Sequence, residues 1–246
     1  MKYVIRPCTT RDELAACVTL QKQIWGYSDL EAYPARLFVN LAQIGGQVLA
    51  AFTPAGRAVG FVASMPAWRG GRNYYHSLSL GVLPAHENRG LGRALKMEQR
   101  RLALLAGIEG IEWTFDPLRA KNAFFNIVRL GAVCRRYVAD HYGSVDSRFQ
   151  KGLPSDRLVA EWWLRSPRVR RALDGKPPRS RRGRPAAEIA IPADIEPLKR
   201  AHPEKARAVQ SGVREQFAGC FARGLQITGF TLEGTTAKYL LDPYED

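Results

Sequence analysis

Cysteine is scarce in this chain. Only Cys8, Cys17, Cys134 and Cys220 occur among 246 residues, and no two stand in a CxxC spacing. That pattern argues against a disulfide framework and against a structural zinc site. The thiols are expected to be reduced and mostly buried, as in a cytoplasmic protein. Histidine is as sparse. His76, His86, His141 and His202 form neither HxH nor HxxxH, so no metal site is expected. Long apolar runs are missing too. Nothing approaches the ~18 consecutive apolar residues of a membrane-spanning helix, and no membrane partner is expected. The opening Met1-Lys2-Tyr3-Val4-Ile5-Arg6-Pro7 has no uninterrupted apolar stretch, so no secretory signal is expected either. Acidic residues are also in short supply, 23 against 37 basic ones.

What is present suits a globular protein: 46% hydrophobic and 10% aromatic residues. The length fits a domain of roughly 150 residues with an extension. The charge is uneven. Nine basic residues between Arg165 and Arg184 face one acid, Asp174, so this segment alone holds +8 of the net +14. Its end, Lys176 to Pro185, has three prolines and no apolar periodicity, and reads as a mobile linker. No aromatic residues are interleaved there to stack on bases, so nucleic acid is not the expected partner. The organisation read from the sequence is a core over residues 1–166, a basic Pro/Arg-rich linker over 167–186, and an αβ extension over 187–246 packed on the core.

Apolar spacing predicts a strand over 3–8 and a helix over 12–25, with Leu14, Val18, Gln21 and Trp25 on one face and Gly26 as its stop. A second helix carries Leu37, Phe38, Leu41 and Ile44. Strands over 47–52 and 57–64 surround the turn Thr53-Pro54-Ala55-Gly56. In a third strand, 76–83, Leu78, Leu80 and Val82 alternate with Ser77, Ser79 and Gly81. A helix over 90–106, a strand over 111–115, a helix over 122–130 and strands over 132–138 and 157–164 follow. The extension reads as a strand at 188–191, a helix over 203–222 and two strands around Gly234. This order implies an α/β (α+β) fold: a mixed, mostly antiparallel twisted sheet flanked by helices, with a C-terminal αβ extension.

Chemistry concentrates in Val82-Leu83-Pro84-Ala85-His86-Glu87-Asn88-Arg89-Gly90-Leu91-Gly92-Arg93-Ala94. A strand stops at a proline, a polar loop follows, and Arg-Gly-x-Gly opens a helix. The first turn of a helix leaves backbone N–H groups without internal partners, and the aligned peptide dipoles add partial positive charge there. Gly90 and Gly92 lack Cβ, so a phosphate can approach the backbone. Arg89 and Arg93 add charged donors. The site suits a pyrophosphate. A P-loop would need Gly-Lys-Ser/Thr where Gly92 is followed by Arg93-Ala94, and a dinucleotide fold would need GxGxxG directly after the strand.

Here the chain resembles the GNAT superfamily of acyl-CoA N-acyltransferases. Glu87-Asn88-Arg89-Gly90-Leu91-Gly92 lies over the family pattern Gln/Arg-x-x-Gly-x-Gly/Ala, with Glu87 in place of the usual Gln or Arg. The resemblance spans residues 3 to 143. It implies acetyl-CoA or another acyl-CoA as co-substrate. The backbone of Leu80 and Val82 would bond the pantetheine arm, and Arg89, Gly90, Leu91, Gly92 and Arg93 would hold the pyrophosphate. Asn122 and Asn126, on the later helix Asn122–Leu130, become candidates for contacting the acyl-CoA. The tyrosine that commonly protonates the departing thiolate is replaced by Ile127. With Trp113-Thr114-Phe115-Asp116-Pro117 and the later Asp156–Trp162, the chain looks like a bacterial branch of the superfamily.

Acyl transfer to an amine needs a polarised thioester carbonyl, a neutral amine and alignment of the two. A strand N–H near Val82 can polarise the carbonyl. His76, at the start of the strand expected to carry the thioester, is the base candidate, because an unperturbed imidazole titrates near neutrality. Tyr137 or Tyr142 could replace the missing acid. Trp25, Tyr27, Tyr33, Trp68, Tyr74 and Tyr75 with Arg36, Arg69 and Arg72 suit an acceptor with an apolar group and a carboxylate. The expected activity is N-acylation of a small-molecule amine or amino acid in a ternary complex. The alternatives are acetylation of a protein or peptide, or non-catalytic binding of coenzyme A or nucleic acid. The oligomeric state stays open.

Overall fold

A computed structural model describes residues 3–143, 152–176 and 184–243. Of the stretch read as a mobile linker, 177–183 lie outside the described residues. The described residues divide into two compact units, residues 3–112 and residues 113–143 with 152–176 and 184–243.

The first unit begins with β1 (Val4–Pro7) and α1 (Arg11–Trp25). Thr10 caps α1 by accepting from the Glu13 amide at 3.2 Å, and Gly26 closes it in the left-handed conformation at φ 72°. The buried face is Leu14, Cys17, Leu20, Gln21 and Ile24. It is turned from the expected stripe so that Val18 and Trp25 sit at its margin. Gln21 is buried because its amide both donates to the Tyr33 carbonyl (3.1 Å) and accepts from the Tyr33 amide (2.9 Å), tying down the loop before α2 (Ala35–Gln43).

Strands β2 (Gln47–Phe52), β3 (Ala58–Arg69) and β4 (Arg72–Val82) follow. The sheet runs β1-β2-β3-β4 with every neighbour antiparallel. The β3–β4 hairpin is longer than its apolar pattern suggests. Gly70 and Gly71 both take positive φ, 59° and 77°, so a two-residue turn joins the strands. Pairing then continues through Trp68–Asn73 and Ala67–Tyr74, where side chains carry no alternation signal. Helix α3 (Leu91–Leu105) comes next, and β5 (Gly110–Phe115) starts parallel to β4. The core gathers Phe38, Leu41, Leu49, Phe61 and Leu95 between α1, α2, α3 and the sheet. Helix α1 lies close against β4: a Cβ on Gly81 would stand 2.9 Å from both Ile24 and Trp25.

In the second unit α4 (Ala120–Ala123) passes into a π-helical turn, Phe124–Arg129. Then come β6 (Val133–Val138), β7 (Arg157–Trp163), α5 (Pro167–Leu173), β8 (Ala187–Pro192), α6 (Glu196–Ala201), α7 (Pro203–Ala222), β9 (Leu225–Glu233) and β10 (Thr236–Pro243). The strand order is β7-β6-β9-β10-β8, again antiparallel throughout. Strand β9 joins β6 at Cys134–Ile227, so the C-terminal strands extend a sheet begun by β6 and β7.

Part of the stretch assigned to the linker is helical. Ser166 caps α5 by accepting from the Val169 amide at 3.2 Å, and Val169 and Ala172 are buried. Arg168 explains why so basic a helix packs: its guanidinium donates to the carbonyls of Gly131 (3.0 Å) and Thr228 (2.6 Å). All four cysteines are free and buried. Among the described residues, no helix is long and apolar enough to cross a membrane, and no three potential metal ligands come together.

Candidate active site

The β3–β4 pairing slips one residue in the middle of β4. Ala63 stands opposite Ser79 but Ser64 stands opposite Ser77, so Leu78 is an extra residue that bulges the strand. On its other edge β4 pairs with β5 only at Tyr75–Ile111 and His76–Glu112. From Ser77 to Val82, β3 is the only strand pairing with β4 among the described residues. The backbone of Leu78, Leu80 and Val82 therefore lies on an edge that an extended ligand can pair with.

Past Val82 the chain turns through the short 3-10 helix Pro84–His86. Asn88 takes φ 58° and Gly90 φ 77°, and α3 starts at Leu91 with no side-chain cap. The first intrahelical bond runs from the Ala94 amide to the Gly90 carbonyl at 3.0 Å. The amides of Leu91, Gly92 and Arg93 precede it and point out of the helix end. A Cβ on Gly92 would meet nothing within 4 Å, so space lies open in front of this turn. Arg89 and Arg93 are exposed beside it. The donors, the charge and the room all fit a pyrophosphate. One neighbour of this loop, Tyr3, had no local sequence signal. The Arg89 guanidinium donates to the Tyr3 hydroxyl at 3.2 Å, and that hydroxyl lies 2.8 Å from His86 Nδ1.

His76 is half-buried at the last paired position before β4 separates from β5. Its register partner Glu112 forms an ion pair with Arg69, whose guanidinium also lies 5.0 Å from the centre of the Tyr74 ring. Arg69 is thus engaged at the sheet edge. Trp68 is 70% exposed, whereas Tyr75 is buried and donates to the Gly45 carbonyl at 2.7 Å.

Behind β4 lies a polar cluster that the sequence reading missed. Lys96 Nζ donates to Ser77 Oγ at 3.3 Å and Gln99 Oε1 at 2.9 Å, and Gln99 Nε2 donates to Ser77 Oγ at 3.2 Å. Gln47 Nε2 donates to the Gln99 carbonyl (3.2 Å) and Ser64 Oγ to Gln47 Oε1 (3.1 Å). All five side chains are buried. Desolvation holds the Lys96 amine down at about 7, against 10.5 for an exposed lysine. Between those values the unfolded chain binds the extra proton, so folding stability rises with pH above about 7 and this contribution is flat below it. The expected gain is about 2 kcal/mol between pH 7 and 9. Lys96→Met should remove it, as urea unfolding of both proteins at the two pH values would show.

The remaining candidates lie in the second unit. Asn122 is exposed and Asn126 is buried. Ile127 is fully buried on the π-helical turn, so that position is packing. Tyr137 does not suit the acid role expected of it. Its hydroxyl donates to Asp156 Oδ2 at 2.5 Å, and burial together with that carboxylate raises its pKa far above the ordinary phenol value. Tyr142 is 48% exposed, its hydroxyl lies 2.8 Å from Thr114 Oγ1 on β5, and Arg157 sits 5.2 Å from its ring centre.

Residues 10–126 match the sequence model of the acetyltransferase (GNAT) family. That stretch, just under half of the chain, is similar to the GNAT acetyltransferase domain. No curated protein sequence matches the chain. Solved structures share the fold at low identity. The ribosomal-protein-S18-alanine N-acetyltransferase of Escherichia coli is 13% identical with a TM-score of 0.53, over 66% of this chain and 94% of that one. Arabidopsis thaliana NAA60 in complex with acetyl-CoA is 17% identical with a TM-score of 0.52, over 66% of this chain and 99% of that one. The putative acetyltransferase yncA of Salmonella typhimurium, solved with acetyl-CoA, is 17% identical with a TM-score of 0.51, over 68% and 96%.

Proposed function

We propose that this protein transfers an acyl group from acyl-CoA to the amine of a small molecule or amino acid by direct attack in a ternary complex. The observation that supports it is the continuity of two binding elements in one stretch of chain: the open β4 edge from Leu78 to Val82 and the uncapped first turn of α3 at Leu91–Arg93. The amides of that turn, with Arg89 and Arg93, hold the pyrophosphate. The backbone of Leu80 and Val82 pairs with the pantetheine arm, and a β4 amide polarises the thioester carbonyl. The bound co-substrate supplies the activated acyl group; the protein aligns it and manages protons.

His76 is the proposed base, because it stands where β4 loses its β5 partner. Tyr142 is the better of the two acid candidates, because the residue is half-exposed and its hydroxyl's hydrogen-bond partner is the neutral Thr114, not a carboxylate. Asn122 and Asn126 stay as proposed contacts to the acyl-CoA. Thiol release from several acyl-CoAs against amino acids and amines tests the activity. Release with no acceptor in the panel would remove the small-amine reading. His76→Ala is expected to slow turnover at pH 7 by roughly tenfold or more and to abolish the acidic limb of the pH–rate profile. A variant with an unchanged profile would dismiss His76 as the base.

A further inference from the structure

The cluster behind β4 is an odd way to build a core. Five polar side chains, one a lysine at 1% exposure, fill space that aliphatic residues would fill at lower cost. Their placement is specific. Ser77 and Ser64 face each other at the register slip that ejects Leu78. Ser77 is held by both Lys96 and Gln99, which lie three residues apart on α3. Ser64 is held by Gln47 of β2, which in turn donates to the Gln99 carbonyl. The bulge is therefore gripped from both of its strands by one helix. That helix is the one whose first turn faces the open anion site, and Lys96 lies about 9 Å along the axis from Gly90.

We infer that Lys96, Gln99 and Ser77 form a positioning cluster for acyl transfer: they lock the β4 bulge to α3, so that a thioester whose phosphates sit on the first turn of α3 has its carbonyl registered on the β4 amide. This rests on the acyl-CoA reading above. In regular β pairing Leu78 would recover a partner and the β4 edge would shift by a residue along the pantetheine. The cluster opposes that shift. It touches none of the reacting atoms and acts through the backbone. Binding energy from the phosphates is then used to orient the thioester.

The test compares wild type with Lys96→Met, Ser77→Ala and the control Leu95→Ala, which removes a buried apolar side chain from the same helix. Three quantities are measured at pH 7: coenzyme A affinity by calorimetry, kcat for thiol release from acetyl-CoA with the best acceptor of the amine and amino-acid panel, and melting temperature. Lys96→Met and Ser77→Ala are expected to lose tenfold or more in kcat while binding coenzyme A within twofold of wild type. Lys96→Met should melt no lower than wild type, since it removes a buried amine. Leu95→Ala should melt several degrees lower with kcat within threefold. The inference is overturned if Lys96→Met keeps kcat within twofold. It is equally overturned if kcat, coenzyme A affinity and melting temperature fall in parallel, which would mark a purely structural pin. Wild type that neither binds coenzyme A nor releases thiol overturns the acyl-CoA reading itself, and this inference with it.

Discussion

Gly92→Asp should abolish acyl-CoA binding while leaving the fold as stable as before, or more so. Gly92 is the second residue of α3, and a Cβ there meets nothing within 4 Å, so the substitution forces no clash. Its backbone is ordinary helix, where glycine is a poor former and an aspartate in the first turn gains about 0.3–1 kcal/mol from the helix dipole. The same carboxylate would point into the space proposed for the pyrophosphate. It would take up the amides of the turn, draw in Arg89 and Arg93, and present a negative charge to two phosphates. Like charges brought together in this way cost several kcal/mol, so acetyl-CoA affinity should fall by more than about 100-fold. Gly92→Ala, which adds bulk without charge, should fall far less. Calorimetric titration of the three proteins separates these terms. Gly92→Asp binding acetyl-CoA like wild type would remove the phosphates from α3.

The parts of this site legible in the sequence were those built from consecutive residues. Pro84 ending a strand, the two glycines and the flanking arginines all act within one turn of where they sit, so the anion site could be read directly. The β4 bulge could not. Ser77-Leu78-Ser79-Leu80 alternates without a break, and only pairing with β3 shows that one of these residues is surplus. The Lys96 cluster was equally hidden, because its members come from β2, β3, β4 and α3 and each reads locally as a surface polar residue. The Tyr3–Arg89 contact spans 86 positions. Helix α5 is hidden in the reading of residues 167–186 as a basic linker, because the partners that admit Arg168 to the interior are backbone carbonyls with no sequence signature. The same limit applies to Tyr137: an aromatic near the end of a core strand could serve as an acid or as an anchor, and only its partner decides.

That partner carries the largest stability effect expected for this chain. Asp156 is completely buried and accepts from Tyr137 Oη (2.5 Å), Arg214 Nε (2.9 Å), Arg214 Nη2 (2.7 Å) and the Asp140 amide (2.9 Å). One carboxylate thereby joins β6, the turn after it, the start of β7 and helix α7. Tyr137 also stacks on Phe217 of α7 at 5.6 Å, so the polar knot sits on an apolar bed. Asp156→Ala would leave a guanidinium, a phenol and a backbone amide without their anion. Breaking a buried pair from one side typically costs 3–5 kcal/mol, and because the Arg214 side chain keeps 35% of its surface exposed, unfolding by urea should show a loss at the lower end of that range. Asp156→Asn keeps the shape and one acceptor, so it should cost less. Tyr137→Phe should cost about 1 kcal/mol, since the carboxylate keeps its other three donors. It should also leave turnover unchanged, because a hydroxyl already donating to a buried carboxylate has no proton to offer a departing thiolate. A large fall in kcat for Tyr137→Phe with stability retained would return Tyr137 to the reaction and make Asp156 its regulator.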